Sequence, residues 1–283
     1  MANVADIIIF GGQSNMEGQT EVLSECEIAE GAFEYKFIGD SLVPLKNPVG
    51  EDIRYDGLAG EPFMQDTDAG KWLADHVLGS ACYGNTNMVP SFCRAYIKER
   101  QTDVIAVHTA KGSTVIKDWL PDSDGYRALV AKAAAAIKKA KKQYEIGHIY
   151  FVWLHGESDA IFANSRKNYK DSLRVLMGGL ATELGVEKFG IIRVGAFTND
   201  ERDFEIIYAQ DEICEEDERF LMLCREALAF NKMPEMMNPY VDGHYSARGL
   251  EELGRIAGGA LGGFGRVLED FKFGNEYMNK RGE

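Results

Sequence analysis

The sequence predicts an α/β protein: a parallel sheet covered by helices on both faces, in one domain with a long irregular insertion. Three observations predict it. Short, continuous apolar runs recur along the chain, helical stretches separate them, and turn-forming residues follow the runs directly. With 283 residues and 45% apolar composition, the chain can bury one large core.

Ile7-Ile8-Ile9-Phe10 runs into Gly11-Gly12, the pattern of a buried central strand entering a tight turn. Residues 20–85 are rich in Gly, Pro, Asp and Glu and weakly periodic. Lys46-Asn47-Pro48-Val49-Gly50 and Gly60-Glu61-Pro62 mark loops within them. This stretch reads as a long crossover with short irregular elements, and loops of such length shape binding sites. Then follow a helix at 90–100, a strand at 103–108, and a helix at 124–143 with Asp124 as its cap. A strand at 148–154, a helix at 165–184, a strand at 188–194, a helix at 204–216 and a strand at 220–223 continue the alternation. The last helix spans 246–264. Its pairs Gly258-Gly259 and Gly262-Gly263 either weaken it or let a neighbour pack closely.

Charge narrows the partners. The 31 basic and 45 acidic side chains leave a net charge of −14, which repels nucleic-acid phosphate and anionic membrane. Neither is an expected partner, and a neutral substrate is favoured. No apolar run reaches the length of a membrane span. The opening residues lack the basic and apolar regions of a signal peptide. Cys26, Cys82, Cys93, Cys214 and Cys224 have neither metal-site nor redox spacing, and they read as reduced thiols. A cytoplasmic protein without cofactor is the expectation.

In open parallel sheets, ligands gather outside the carboxyl ends of the strands, and four blocks lie there. Ser14, in Gly11-Gly12-Gln13-Ser14-Asn15-Met16, follows the first strand. A serine at such a turn offers a hydroxyl nucleophile beside converging backbone N–H donors, although a serine capping a short helix gives the same pattern. Nucleotide binding is a poor reading, because GxGxxG and the Walker lysine are missing. His244, in Asp242-Gly243-His244-Tyr245-Ser246, titrates near neutrality and can serve as a base, with Asp242 close enough to orient it. Trp153-Leu154-His155-Gly156-Glu157-Ser158-Asp159 alternates His155, Glu157 and Asp159 on one face of extended chain. Three metal ligands from one strand end are geometrically awkward, so no metal is expected. Orienting the histidine, donating to an oxyanion or binding sugar hydroxyls fits these residues better. Gly112, in Lys111-Gly112-Ser113, lets backbone approach a ligand.

Together the four blocks resemble the SGNH hydrolase superfamily, specifically its sialate O-acetylesterase and acetylxylan esterase branch (carbohydrate esterase family six). Gly12-Gln13-Ser14-Asn15-Met16 is similar to that branch's nucleophile block, and Lys111-Gly112-Ser113 with Trp119 to its glycine block. Residues 153–159 are similar to its Trp-x-Gln-Gly-Glu-x-Asp block, and residues 242–246 with Gly249 and Gly254 to its closing block. The blocks occur in the family's order and span residues 11–254.

The resemblance implies a three-layer α/β/α flavodoxin-like fold and a Ser–His–Asp triad of Ser14, His244 and Asp242, passing through an acetyl-enzyme. It implies an oxyanion hole from the N–H groups of Ser14 and Gly112, joined by a side chain of the third block, here His155. Gln13, Asn15, Glu157 and Asp159 become substrate-binding or alternative acid positions. The expected substrate is a small-molecule or oligosaccharide acetyl ester. For an anionic sugar, block position marks Arg54, Lys111 and Arg193 as candidate cations.

Two departures stand out. His155 occupies the family's Gln position. The usual acid position, three before the histidine, is Val241, so Asp242 must act through a tighter turn or Glu157 replaces it. Two alternatives remain: an SGNH esterase or thioesterase acting on a non-sugar acyl group held in a groove from residues 20–85, and an inactive sugar-binding protein.

Overall fold

The computed structural model describes residues 3–22, 27–50 and 86–279, with side chains of the last helix as far as Phe264. Cys26, Cys82, Arg54 and the Gly60-Glu61-Pro62 turn lie outside the described residues.

The chain forms β1 (Asn3–Gly12), α1 (Ser14–Glu17), β2 (Ala32–Lys36), β3 (Ser41–Pro44), α2 (Val89–Arg100) and β4 (Asp103–His108). A 3-10 turn at Ile116–Trp119 leads to α3 (Asp124–Ala140) and β5 (Tyr144–Leu154). Then come α4 (Glu157–Ile161), α5 (Arg166–Leu184), β6 (Lys188–Ile192), α6 (Glu201–Glu216), β7 (Phe220–Cys224), α7 (Ala227–Phe230) and α8 (Ala247–Asn279).

Among the described residues, seven strands pair in the order β3-β2-β4-β1-β5-β6-β7. All pairs are parallel except β2 with β3, an antiparallel hairpin at the edge. β1 is central because both its faces are apolar. Ile7, Ile8, Ile9 and Phe10 are fully buried, and Ile7 stands level with Ile105 of β4 and Ile149 of β5. Helices α2 and α8 pack on one face, and α3, α5 and α6 on the other. This is a three-layer α/β fold, a mostly parallel sheet between two layers of helices. From β1 the chain builds one side of the sheet out to β3, returns through β4, then crosses to β5, β6 and β7. That reversal opens a crevice at the carboxyl end of β1, where Ser14 lies.

Two local expectations change, and an alternative left open for α8 is decided. Within the stretch expected to be irregular, residues 32–36 and 41–44 join the sheet. These strands are four or five residues long, too short to display a period. The cap of α3 is Ser123, whose hydroxyl accepts the N–H of Tyr126; Asp124 is the first helical residue. The glycines of α8 serve close packing. A methyl at Gly254, Gly258 or Gly262 would collide with Ser91 Oγ, Phe92 O or Tyr96 O of α2, whereas Gly259 and Gly263 face open space. Spaced four apart, the three form one stripe along which the α2 backbone lies. Among the described residues, no helix is long and apolar enough to cross a membrane.

Candidate active site

The nucleophile turn is built by close approach. Gly12 has φ +148°, and any side chain there would strike the Leu154 carbonyl. Gln13 N donates to that carbonyl at 3.3 Å, and α1 begins at Ser14. The Gln13 side chain is buried. Its Oε1 accepts the N–H groups of Gly156 (3.4 Å) and Ser158 (3.3 Å), and its Nε2 donates to Ser158 Oγ (3.3 Å). Gln13 therefore staples the turn to the end of β5 and is engaged with protein where substrate contact was expected. His108, at the end of β4, supports α1 from behind. Its Nε2 lies 3.1 Å from the Met16 carbonyl and so carries the proton. Burial drives the His108 pKa down to about 3, leaving a neutral ring.

Ser14 stands at the start of α1 with its hydroxyl free of hydrogen bonds. The backbone N–H groups of Ser14 and Gly112 likewise donate to no partner among the described residues. Gly112 is carried to α1 by the strand ladder, where Thr109 N donates to Phe10 O (2.8 Å) and Lys111 N to Gly12 O (2.9 Å). A side chain at 112 would meet the ends of the Glu17 and Gln19 side chains, which would have to shift.

His244 sits in a tight loop before α8. Asn238 N donates to its carbonyl (2.8 Å), its own N–H donates to Val241 O (3.3 Å), and Gly243 is left-handed at φ +72°. Its Nδ1 lies 2.9 Å from the Asp242 main-chain carbonyl. A carbonyl only accepts, so Nδ1 holds the proton and Nε2 presents a lone pair. Nε2 is buried and has no hydrogen-bond partner. The Asp242 carboxylate, expected to orient this ring, is exposed and bonds to nothing. The left-handed Gly243 turns the Asp242 carbonyl, not the side chain, toward the ring.

Asn15 brings the first and last blocks together. Its Nδ2 donates to Glu157 Oε1 (2.8 Å) and to Gly243 O (3.4 Å), while its Oδ1 accepts Tyr245 N (3.1 Å). The residue after Ser14 thus grips both neighbours of His244. Glu157 is buried beside this cluster, and its Oε2 has no hydrogen-bond partner. Burial pushes its carboxyl up, opposed by the Asn15 bond, nearby backbone N–H groups and the charge His244 can acquire. Phe197 closes the other side of the imidazole, edge-on at 6.0 Å.

His155, expected as an oxyanion donor, is fully buried and stacked on Trp153 at 4.5 Å. Its Nε2 faces the Thr114 hydroxyl at 3.5 Å, and its Nδ1 faces the Tyr169 hydroxyl at 3.4 Å. Burial lowers its pKa to about 3. Asp159, expected to meet substrate, accepts Ile116 N (2.8 Å) and Asn164 Nδ2 (2.8 Å), anchoring the loop after Gly112. Burial raises its carboxyl to about 6. Sequence reasoning passed over Tyr169 and Gln210, which donate to the His155 carbonyl at 2.8 and 2.7 Å and hold the Gly156 turn. They come from α5 and α6, and no local pattern marks them. Arg193 is paired with Asp211 (2.8 Å). Among the described residues, no three of His, Cys, Asp and Glu converge as a metal ion requires. The arrangement offers a free hydroxyl, an imidazole with an open lone pair and two free backbone donors.

A family model described as carbohydrate esterase, sialic acid-specific acetylesterase matches residues 4–255. No curated protein matches the sequence. Among solved structures, a protein from Arabidopsis thaliana is similar with a TM-score of 0.60 and 19% identity, over 92% of this chain and 98% of that one. NanS is similar with a TM-score of 0.60 and 12% identity, over 96% and 98%. A carbohydrate acetylesterase from Xanthomonas citri has a TM-score of 0.50 and 14% identity, over 89% of this chain and 56% of that one. At these identities the likeness is one of fold.

Proposed function

Because the chain belongs to the carbohydrate esterase family of sialic acid-specific acetylesterases, we propose that it is a serine O-acetylesterase acting on an acetylated sugar, in a single catalytic domain. Ser14 attacks the acetyl carbonyl while His244 Nε2 takes the hydroxyl proton. The N–H groups of Ser14 and Gly112 receive the developing oxyanion. Collapse breaks the ester C–O bond, and the imidazolium returns its proton to the leaving sugar oxygen. Water, deprotonated by the same nitrogen, then cleaves the acetyl-enzyme to acetate and restores Ser14. His155, buried and turned to Thr114, has no part in the oxyanion site in this reading.

The observation that carries the reading is the Nδ1 bond of His244 to a main-chain carbonyl, which leaves Nε2 with a lone pair, while Asn15, the residue after Ser14, bonds the main chain on either side of His244. Purified protein is expected to hydrolyse a chromogenic acetate ester and to release acetate from acetylated sugars. Ser14→Ala is expected to retain its fold by circular dichroism and to lose roughly three or more orders of magnitude in kcat. Equal rates for the two proteins would remove the nucleophile assignment. An acetyl-to-octanoyl series that favours long chains would instead mark a non-sugar acyl esterase.

A further inference from the structure

In a chain with 45 acidic and 31 basic side chains, a cation without a carboxylate beside it is the exception. Of the arginines whose side chains are described, all but Arg94 and Arg248 pair with a carboxylate. The Arg94 guanidinium reaches a main-chain carbonyl, that of Glu27, at 3.4 Å. The two lie on different helices, yet both line one cavity of about 680 Å³ between α2 and α8. Lys98, also without an ion pair among the described residues, lines it with them. A cavity of this volume suits a small organic molecule.

Helical spacing builds the two walls. Arg94 and Lys98 stand four apart on α2 and so share a face. On α8, Arg248, Glu251, Arg255 and Gly259 recur at intervals of three and four, in a stripe beside Gly254, Gly258 and Gly262. The glycine stripe lets the helix backbones meet, and its neighbour faces the opening. Gly259 leaves room there, since a Cβ would meet nothing within 4 Å. Ala95 and Met236 add apolar surface.

The lining has a defined chemistry. A guanidinium offers paired N–H donors that fit a carboxylate or a phosphate. Arg255 holds Glu252 at 2.8 Å, so that pair is satisfied. Glu99 and Glu251 line the same cavity and accept no hydrogen bond among the described residues. Ionised carboxylates only accept, so these two suit hydroxyl donors and repel a ligand that is anionic throughout. The apolar surface suits the C–H face of a ring. One kind of molecule meets all three demands: a polyol with a single oxyanion group. We therefore propose that the groove between α2 and α8 is a second binding site, for a sugar carboxylate or sugar phosphate. Neither Ser14 nor His244 lines it, and the proposal does not rest on their reading as nucleophile and base.

Isothermal titration calorimetry of the full chain with glucuronate, glucose 6-phosphate, glucose and inorganic phosphate is the test. Glucuronate or glucose 6-phosphate is expected to bind with a Kd on the order of 1 mM or tighter, and the tighter of the two identifies the oxyanion. Glucose and inorganic phosphate should each bind about tenfold more weakly or worse, because each lacks part of what the groove recognises. Arg94→Gln and Arg248→Gln should each weaken binding about tenfold or more. Gly259→Met, which fills the cavity and leaves its charges in place, should abolish binding. Melting curves confirm that each variant is folded, and the arginine variants carry the test if Gly259→Met is not. No binding of either charged sugar at concentrations on the order of 10 mM overturns the proposal. So does binding that is unchanged in the folded variants, which places the ligand elsewhere. Glucose or inorganic phosphate binding as tightly as the charged sugars would also overturn it.

Discussion

Replacing Asn15 by Ala tests the frame that joins the two ends of the chain. The truncation removes the 2.8 Å bond to Glu157, the 3.1 Å bond from Tyr245 N and the 3.4 Å bond to Gly243 O, the last being the weakest of the three. A hydrogen bond to a carboxylate is worth about 1.5–3 kcal/mol, and a buried N–H left without a partner costs about 1–3 kcal/mol. Asn15 is 1% exposed, so water cannot readily replace the lost side chain. The loss is therefore about 2.5–6 kcal/mol. At about 2–4 °C per kcal/mol for a chain near this size, Tm should fall by about 5–24 °C. Differential scanning calorimetry reads this directly. The loop bearing His244 also loses its tie to the nucleophile turn, so kcat on an acetate ester should fall at a temperature where the variant is still folded. A variant that melts within about 2 °C of the wild type with unchanged kcat would refute the clamp.

Two further predictions concern the interior. His108 and His155 both have folded pKa values of about 3 against 6.5 in the unfolded chain. Between those values the unfolded chain binds protons that the native protein cannot, so stability is lost as pH falls below about 6.5. Asp159, raised to about 6 from 3.8, acts in the opposite sense, because the native protein holds a proton there that the unfolded chain releases. Glu157, also pushed up by burial, acts with Asp159, while carboxylates held low by ion pairs, such as Asp217 with Arg219, act with the two histidines, and Tm should drop from pH 7 to pH 4.5. In His155→Gln one of the two histidine contributions is gone and the decline should flatten; an equally steep decline would contradict the buried neutral ring. Gly258→Ala should destabilise by about 1–3 kcal/mol, because its methyl meets the Phe92 carbonyl and helix backbones must separate. Gly259→Ala, facing open space, should be stabilising or neutral. Chemical denaturation distinguishes the pair, and equal responses would refute the close α2–α8 contact.

Much of the architecture was legible in the sequence, because continuous apolar runs and strand–helix alternation are local signals with one global solution. Five of the strands, the long helices and the position of Ser14 after β1 follow from such runs. The edge strands β2 and β3 were not legible, being too short to show a period. The last helix, expected over 246–264, runs on to Asn279, and within the expected span only packing against α2 makes Gly254, Gly258 and Gly262 favourable.

For the site, the resemblance carried by four ordered blocks is what named Ser14, Gly112, His155, Glu157, Asp242 and His244 as candidates. What each atom touches depends on backbone dihedrals and on partners more than a hundred residues away. The left-handed Gly243 decides that His244 meets a carbonyl instead of a carboxylate. Burial decides that His155 is neutral and faces Thr114, and that Gln13 and Asp159 hold the protein together. The linear chain by itself determined which chemical groups are available and the layered frame that carries them. Only the tertiary structure decided their pairing, because hydrogen-bond direction and desolvation are properties of where groups converge in space.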